Sequence, residues 1–465
     1  MTLIIAGDRS GVGKTTITLA LLSFLCQKKA QVQSFKVGPD FIDPMFHTYI
    51  TGRPCRNLDP ILTSETYVKS CFYQHSQGVD YGIVEGVMGL FDGVPFQKNP
   101  LQYASTAHIA RLLNIPVVLV IDCSRLSGSV AAIAHGYRSL DPEINISGVI
   151  LNRVGSDRHL TLLKTALSSL QIPILGSIRR QDSLTIPDRH LGLVPTVELP
   201  NLKIFVDQLA NLAQNTFNWD LLRPLLSIKP EITANSQDNE INTASISLST
   251  PLKIAIARDR AFNFYYQDNL DIFEKLGAEL IFWSPMTDES LPEKTLGLYF
   301  GGGFPEVFAR ELSQNKKALK AVKTAIIQGM PTYAECGGLM YLCQNIITFE
   351  DESWPMVGIL PTVAKMDKHL TLGYRQAIVY QNSLLLTSGE TFWGHEFHRS
   401  QLTNSSSQPL FNLYSWHSNS PTYAEGWQLY NLHASYLHLH FGGCPTVAQK
   451  FVRHCLDFSE LLALD

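Results

Sequence analysis

At 465 residues, with 45% hydrophobic and 17% charged residues, the chain is long enough for two or three domains, each with its own core. A net charge of −4 offers no basic footprint, which argues against nucleic acid as a partner. The apolar run at residues 3–6 has no basic flank and is too short for a signal peptide or a membrane span, and the eight cysteines include no C-x-x-C pair. A reduced, cytoplasmic setting away from the membrane is expected.

The first element in the chain is a strand at 3–6, followed by Gly7-Asp8-Arg9-Ser10-Gly11-Val12-Gly13-Lys14-Thr15-Thr16 and a helical run over 17–25. Strand, glycine loop and helix in that order form a phosphate cradle. Backbone N–H groups at Gly11, Gly13 and Thr16 face an anion, Lys14 reaches the terminal phosphates, and the Thr15 hydroxyl can ligate magnesium. The first glycine of the strict G-x-x-x-x-G-K-[ST] pattern is replaced here by Asp8. This departure suits the P-loop group that includes dethiobiotin synthetase and the MinD-like ATPases.

Further strands are predicted at 33–37, 82–85, 117–122 and 149–152, with helices between them, the signature of a parallel sheet covered on both faces. Chemistry in such a sheet gathers at the carboxyl ends of strands. There the chain places Lys36, Asp40 and Asp43 in Lys36-Val-Gly-Pro-Asp-Phe-Ile-Asp-Pro44, Glu85 and Asp92 in Val84-Glu-Gly-Val-Met-Gly-Leu-Phe-Asp-Gly93, and Asp122. Asp40 and Glu85 are the first choices for holding Mg2+ beside a nucleotide, with Thr15. Lys36, Asp43 and Asp92 are candidate substrate contacts, and for Asp43, Asp92 and Asp122 a helix cap or turn is an equal reading.

Residues 230–250, rich in Ser, Asn, Thr and Asp, read as a linker between domains at 1–229 and 251–465. The strand-helix pattern restarts with strands at 252–257, 279–283, 298–300 and 332–334. The fold class expected is therefore α/β, with two successive parallel-sheet domains.

In the second domain Cys336 follows a strand and precedes Gly337-Gly338 and a helix, the setting of an exposed nucleophile whose thiolate a helix N-terminus favours. His433, His438 and His440 are the candidate bases. The glycine turn Gly301-Gly-Gly-Phe-Pro-Glu306 can bring the N–H groups of Gly303 and Phe304, with that of Gly337, to the oxyanion formed when a thiolate attacks an amide. Gly394-His-Glu-Phe-His398 is one residue short of the zinc-protease pattern, so no zinc is predicted, and His395 and His398 stand as candidate substrate contacts.

Eight blocks in order resemble the cobyrinic acid a,c-diamide synthase family across almost the whole chain. They are Ser10-Gly-Val-Gly-Lys-Thr-Thr16, 36–44, 84–93, Ala257-Arg-Asp-Arg-Ala-Phe-Asn-Phe-Tyr-Tyr266, 301–306, Ala334-Glu-Cys-Gly-Gly338, 394–398 and Ala434-Ser-Tyr-Leu-His-Leu-His-Phe441. The resemblance implies a dethiobiotin-synthetase-like ATP domain and a class I glutamine amidotransferase domain of flavodoxin-like fold. It also implies ATP- and glutamine-dependent amidation of the a and c acetates of cobyrinate in cobalamin biosynthesis, through an acyl phosphate. It carries the nucleophile onto Cys336 and the base onto His438, and it puts Asn152 where related ligases read the adenine edge. Many class I glutaminases have a glutamate two residues after that histidine. Here the place holds His440, so a Cys-His dyad is expected. Hydrogenobyrinate or Ni-sirohydrochlorin are alternative substrates, a MinD-like ATPase switch is the alternative from another class, and a homodimer is a candidate assembly.

Overall fold

The computed structural model describes residues 2–96, 99–180, 188–189, 192–226, 252–415 and 422–464. The linker expected at 230–250 lies outside the described residues. The chain divides into two compact units, one of Met1–Pro60 and Ser64–Asp238, the other of Ile61–Thr63 and Asn239–Asp465.

The first unit is built on a seven-stranded sheet in the order Arg56–Leu58, Val32–Val37, Tyr81–Glu85, Thr2–Gly7, Val117–Asp122, Ile146–Val154 and Ile174–Arg179. All of its strand pairs are parallel. Every residue of Thr2–Gly7, Val32–Val37 and Val117–Asp122 is buried, because both faces of the sheet are covered; the first and last read as apolar runs, while Val32–Val37 buries Gln33, Ser34 and Lys36 as well. Helix Lys14–Gln27 is buried without interruption from Ile17 to Leu25, so its sequence lacks the polar stripe of a surface helix.

The second unit holds a six-stranded sheet in the order Ala278–Trp283, Leu252–Ala257, Gly297–Phe300, Thr332–Glu335, Leu432–Ser435 and Trp427–Leu429. Its first five strands are parallel, and the last is antiparallel.

This unit also contains a second, mostly antiparallel sheet that the parallel-sheet expectation omits. The strands Leu360–Val379 and Thr391–Leu402 form its centre, flanked by Cys343–Ile347, Ser353–Pro355, Phe411–Ser415, Tyr423–Glu425 and His438–Leu439. In the twenty-residue strand, buried, half-buried and exposed positions alternate, so it shows none of the apolar runs that mark the parallel sheets. Among the described residues no helix is long and apolar enough to cross a membrane.

Candidate active sites

In the first unit the turn after Thr2–Gly7 depends on glycine. Gly13 has φ 97°, and a Cβ on it would stand 2.4 Å from the Asn152 amide nitrogen. Ser10, Gly11, Gly13, Lys14, Thr15 and Thr16 line a cavity of about 950 Å³ together with Lys36, Asp40, Asp43, Glu85 and Asn152. The Lys14 amine is held by the carbonyls of Met88 at 2.5 Å and Arg9 at 3.3 Å. Burial and the neighbouring Lys36 hold its pKa below the usual lysine value.

Lys36 lies at the centre of an acidic cluster. Its amine is 2.5 Å from Asp43, 3.0 Å from Glu85 and 3.6 Å from Asp40. Thr15 Oγ1 donates to Glu85 at 2.6 Å and stands 3.3 Å from Asp43. Burial disfavours charge on Lys36, yet the three carboxylates outweigh it and keep the amine charged. Burial and Asp40 push Asp43 up to about 8 despite Lys36. Glu85 is fully buried, but Lys36, His47 and Thr15 pull its carboxyl below the usual range.

One hydroxyl and several carboxylates facing one cavity are hard oxygen donors of the kind Mg2+ takes, so the residues fit that ion. Asp40 has a second role, as its Oδ1 accepts from the N–H groups of Ile42 and Asp43 at the start of helix Ile42–Thr51. Asn152 braces the cradle by donating to the Val12 carbonyl at 2.7 Å. Asp92 is not drawn into the cavity lining. Its carboxylate accepts from the Gly89 N–H at 2.8 Å, as the turn reading expects. Asp122 pairs with Arg9 and Arg153.

The sequence reading missed His47, whose Nε2 is 2.8 Å from Glu85 and whose Nδ1 is 3.4 Å from the Cys55 sulfur. Burial opposes its protonation, but Cys55 and Glu85 overcome this and push it up to about 10. Its place one turn after Asp43, near the start of the same helix, was the available signal.

In the second unit Cys336 sits at the end of strand Thr332–Glu335 with φ 46° and ψ −100°, a strained conformation for a side chain with Cβ. Its N–H donates to the Ser435 carbonyl at 2.8 Å, which fixes the turn. The expectation of an exposed, thiolate sulfur is corrected here. Cys336 is buried, and desolvation with nearby Glu306 raises its thiol well above the ordinary value, while the Gly337 N–H acts the other way. The sulfur instead contacts the Phe397 carbonyl at 3.9 Å.

Gly302, Gly303 and Gly337 pack closely. A Cβ on Gly337 would lie 3.0 Å from the Gly303 nitrogen, and one on Gly302 would lie 2.7 Å from His438 Cε1. Phe304 drops out of the donor set expected for an oxyanion, because its N–H is already bonded to the Ala261 carbonyl at 3.0 Å.

His438 Nδ1 is 3.3 Å from a carboxylate that sequence reading did not consider, that of Glu335, next to the cysteine itself. The same carboxylate accepts from Tyr333 at 2.6 Å, the Leu439 N–H at 3.1 Å and Tyr299 at 3.4 Å. Glu335, the last residue of the strand that ends before Cys336, is therefore the carboxylate beside His438.

His440 does not share a face with His438, because the strand stops at Leu439. Its Nε2 is 3.5 Å from Asp268, and its ring lies against Tyr266. His395 pairs with His438 across adjacent strands, and burial together with His438 pushes its pKa down to about 3. His398 stacks on Tyr436 with ring centroids 3.9 Å apart.

Residues 3–194 match the CobQ/CobB/MinD/ParA nucleotide binding domain family, and residues 253–445 match the CobB/CobQ-like glutamine amidotransferase domain family. A cobyrinate a,c-diamide synthase from a Synechococcus species is 60% identical, covering 99% of this chain and 100% of its own. One from a Synechocystis species is 54% identical over 100% of this chain and 95% of its own. A hydrogenobyrinate a,c-diamide synthase from Streptomyces coelicolor is 40% identical over 97% of each chain.

Proposed function

The chain belongs to the cobyrinate a,c-diamide synthase family, and from that premise we propose that it uses ATP to activate the a and c acetate carboxylates of cobyrinate and amidates them with nitrogen from glutamine. It is a glutamine-hydrolysing, amide-forming ligase of cobalamin biosynthesis with an ATP-using nucleotide-binding domain. The observation that carries the reading is the presence, in one chain, of a phosphate cradle facing a carboxylate cluster and, in the other unit, a buried Cys336 at a strained turn with a His438–Glu335 pair.

A carboxylate resists amines because its charge repels them, so phosphorylation must come first. In this reading Lys14 neutralises the terminal phosphates, and the N–H groups of the cradle hold them. Thr15, Glu85, Asp40 and Asp43 would hold Mg2+, which supplies charge neutralisation during phosphoryl transfer. In the same reading Lys36, kept charged by its neighbours and lining the cavity, would bind the incoming acetate.

Glu335 receives the Nδ1 proton of His438 and so leaves Nε2 basic. Because burial keeps Cys336 as a thiol, its proton must pass to His438 as sulfur attacks the glutamine amide. The N–H groups of Gly303 and Gly337 are the donors for the resulting oxyanion. His438 gives that proton to the departing nitrogen, ammonia leaves, and water then hydrolyses the thioester to glutamate. Ammonia made this way escapes the protonation that disables it in bulk water at neutral pH. The setting proposed is the cytoplasm, where ATP and glutamine are supplied.

The test is incubation with ATP, Mg2+, glutamine and either cobyrinate or hydrogenobyrinate, with mass spectrometry counting the amides formed. Two new amides on cobyrinate are expected. Product from hydrogenobyrinate alone would change the substrate, and no ATP- and glutamine-dependent product from either would overturn the reading.

A further inference from the structure

Residues 257–266 carry none of the reacting groups, yet they run alongside the glycine turn beside Cys336. Strand Leu252–Ala257 pairs in parallel with Gly297–Phe300, and the register matches Ile256 to Tyr299. One further rung of that ladder would join the Gly301 N–H to the Ala257 carbonyl. The Tyr265 hydroxyl stands between them instead, accepting from the Gly301 N–H at 2.9 Å and donating to the Ala257 carbonyl. A phenol has one proton and two lone pairs, so a single group serves both strand ends. Burial pushes its pKa above the ordinary value, and the proton stays on the oxygen. The ring fills the space over Gly301, where a Cβ would come within 2.6 Å of it, and lies edge-on to Tyr299 with centroids 5.0 Å apart. The two strands are thereby held apart at the point where the glycine turn leaves the sheet.

The turn is caught from its other side as well. Phe262 pairs with Gly303 and Phe264 with Gly302 in an antiparallel ladder whose register shifts between the two pairs. The Phe304 N–H donates to the Ala261 carbonyl at 3.0 Å. A bond between residues that flank a facing pair leaves the pair itself without one, so Gly303 turns its N–H away from Phe262. Gly337 approaches that nitrogen closely, since a Cβ on it would stand 3.0 Å away. Asp259 ties the hairpin down. Its Oδ1 accepts from the N–H groups of Ala261 at 2.8 Å and Phe262 at 3.2 Å, and its Oδ2 accepts from the Ser284 hydroxyl at 2.8 Å and the Met286 N–H at 3.1 Å.

Resting on the reading of Gly303 and Gly337 as the oxyanion donors, we propose that Tyr265 and Asp259 are positioning residues for glutamine hydrolysis. The Tyr265 hydroxyl sets the direction in which the glycine turn leaves the sheet. Asp259 holds the hairpin that keeps the Phe304 N–H engaged and the Gly303 N–H aimed at the developing oxyanion. Neither side chain touches glutamine. Their effect falls on the transition state, where charge gathers on the amide oxygen, and spares the ground state, where the amide is neutral.

Tyr265→Phe removes one oxygen and keeps the ring on Gly301. Initial rates of ammonia release should show kcat about 10- to 100-fold below wild type, since a displaced donor costs less than the roughly 10²- to 10³-fold of a missing one. The KM for glutamine should stay within about threefold, the mark of an interaction made only in the transition state. The control is alkylation of Cys336 by iodoacetamide, followed on the Cys336 peptide by mass spectrometry. There the sulfur displaces iodide and the thiol proton passes to His438, but no oxyanion forms. Its rate should stay within about threefold of wild type, as should amidation supported by ammonium chloride. Asp259→Asn turns an N–H donor toward one of the four donors around that carboxylate and should show the same separation. It carries the test should Tyr265→Phe fail to fold.

An unchanged kcat in the folded variants overturns the proposal and leaves the glutaminase reading intact. A parallel fall in kcat and in alkylation also overturns it, because the hairpin then supports the cysteine turn as a whole. A wild-type enzyme that releases no ammonia from glutamine overturns that reading and this proposal together.

Discussion

Replacing Glu335 by glutamine isolates the role of the carboxylate behind His438. One oxygen of Glu335 receives Tyr333 at 2.6 Å and the Leu439 N–H at 3.1 Å; the other faces His438 Nδ1 at 3.3 Å and Tyr299 at 3.4 Å. A backbone N–H can only donate, so the amide oxygen of Glu335→Gln must stay on the Leu439 side and its NH2 must turn to His438. Nδ1 then has to accept, and the ring proton moves to Nε2, the atom that must take the proton of Cys336. In related triads an inverted tautomer lowers turnover by about 10³- to 10⁴-fold, or about 4–5.5 kcal/mol in the barrier at about 1.36 kcal/mol per decade. Initial rates of glutamate release at saturating glutamine should fall by that amount with little change in KM. Amidation supported by ammonium chloride should stay within about threefold of wild type, since the P-loop site is untouched. Glutaminase turnover within about tenfold of wild type in a folded Glu335→Gln protein would refute the argument that this carboxylate sets the tautomer.

Cys336→Ser should abolish glutamine-dependent amidation and retain synthesis with high ammonium at alkaline pH; loss of both activities in a folded protein would show that the two sites are not independent. Lys14→Ala should lower amidation by about 10³-fold or more with either nitrogen donor, because activation of the carboxylate precedes the use of ammonia, and normal synthesis from ammonium would remove Lys14 from the phosphate site. His433 is buried, and desolvation pushes its pKa down to about 3, so the unfolded chain binds a proton below about pH 6.5 that the folded chain refuses. Stability from this group is therefore lost as pH falls from about 6.5 toward 3. Denaturant unfolding should show His433→Phe losing about 2 kcal/mol less than wild type between pH 7.5 and 5.0, and parallel losses would contradict the neutral buried ring.

The P-loop half was legible because its signals are local. The glycines, Lys14 and Thr15 lie within one turn, and apolar runs mark the strands Thr2–Gly7 and Val117–Asp122, buried on both faces. The antiparallel sheet around Leu360–Val379 was not legible, because a strand with many half-exposed positions has the composition of a loop. That omission hid the settings of Glu396, which pairs with Arg375 in the neighbouring strand, and of His398, which stacks on Tyr436.

By itself the sequence determined which residue types were present and roughly where strands end: Cys336 before a glycine pair, Lys14 in its loop, Glu85 and Lys36 at carboxyl ends. Only the tertiary structure decided which partner each one meets. The expected strand stopped at 334 and Glu335 had no role assigned, yet it stands beside His438 Nδ1 because a parallel neighbour, Leu432–Ser435, leads directly into His438. His440 is two residues further on, yet the strand ends and its ring turns to Asp268 and Tyr266. Phe304 has an N–H as good as Gly303's, but the Ala261 carbonyl claims it. Hydrogen-bond pairing is set by distances of a few ångströms between segments far apart in the chain, and residue spacing carries no record of them.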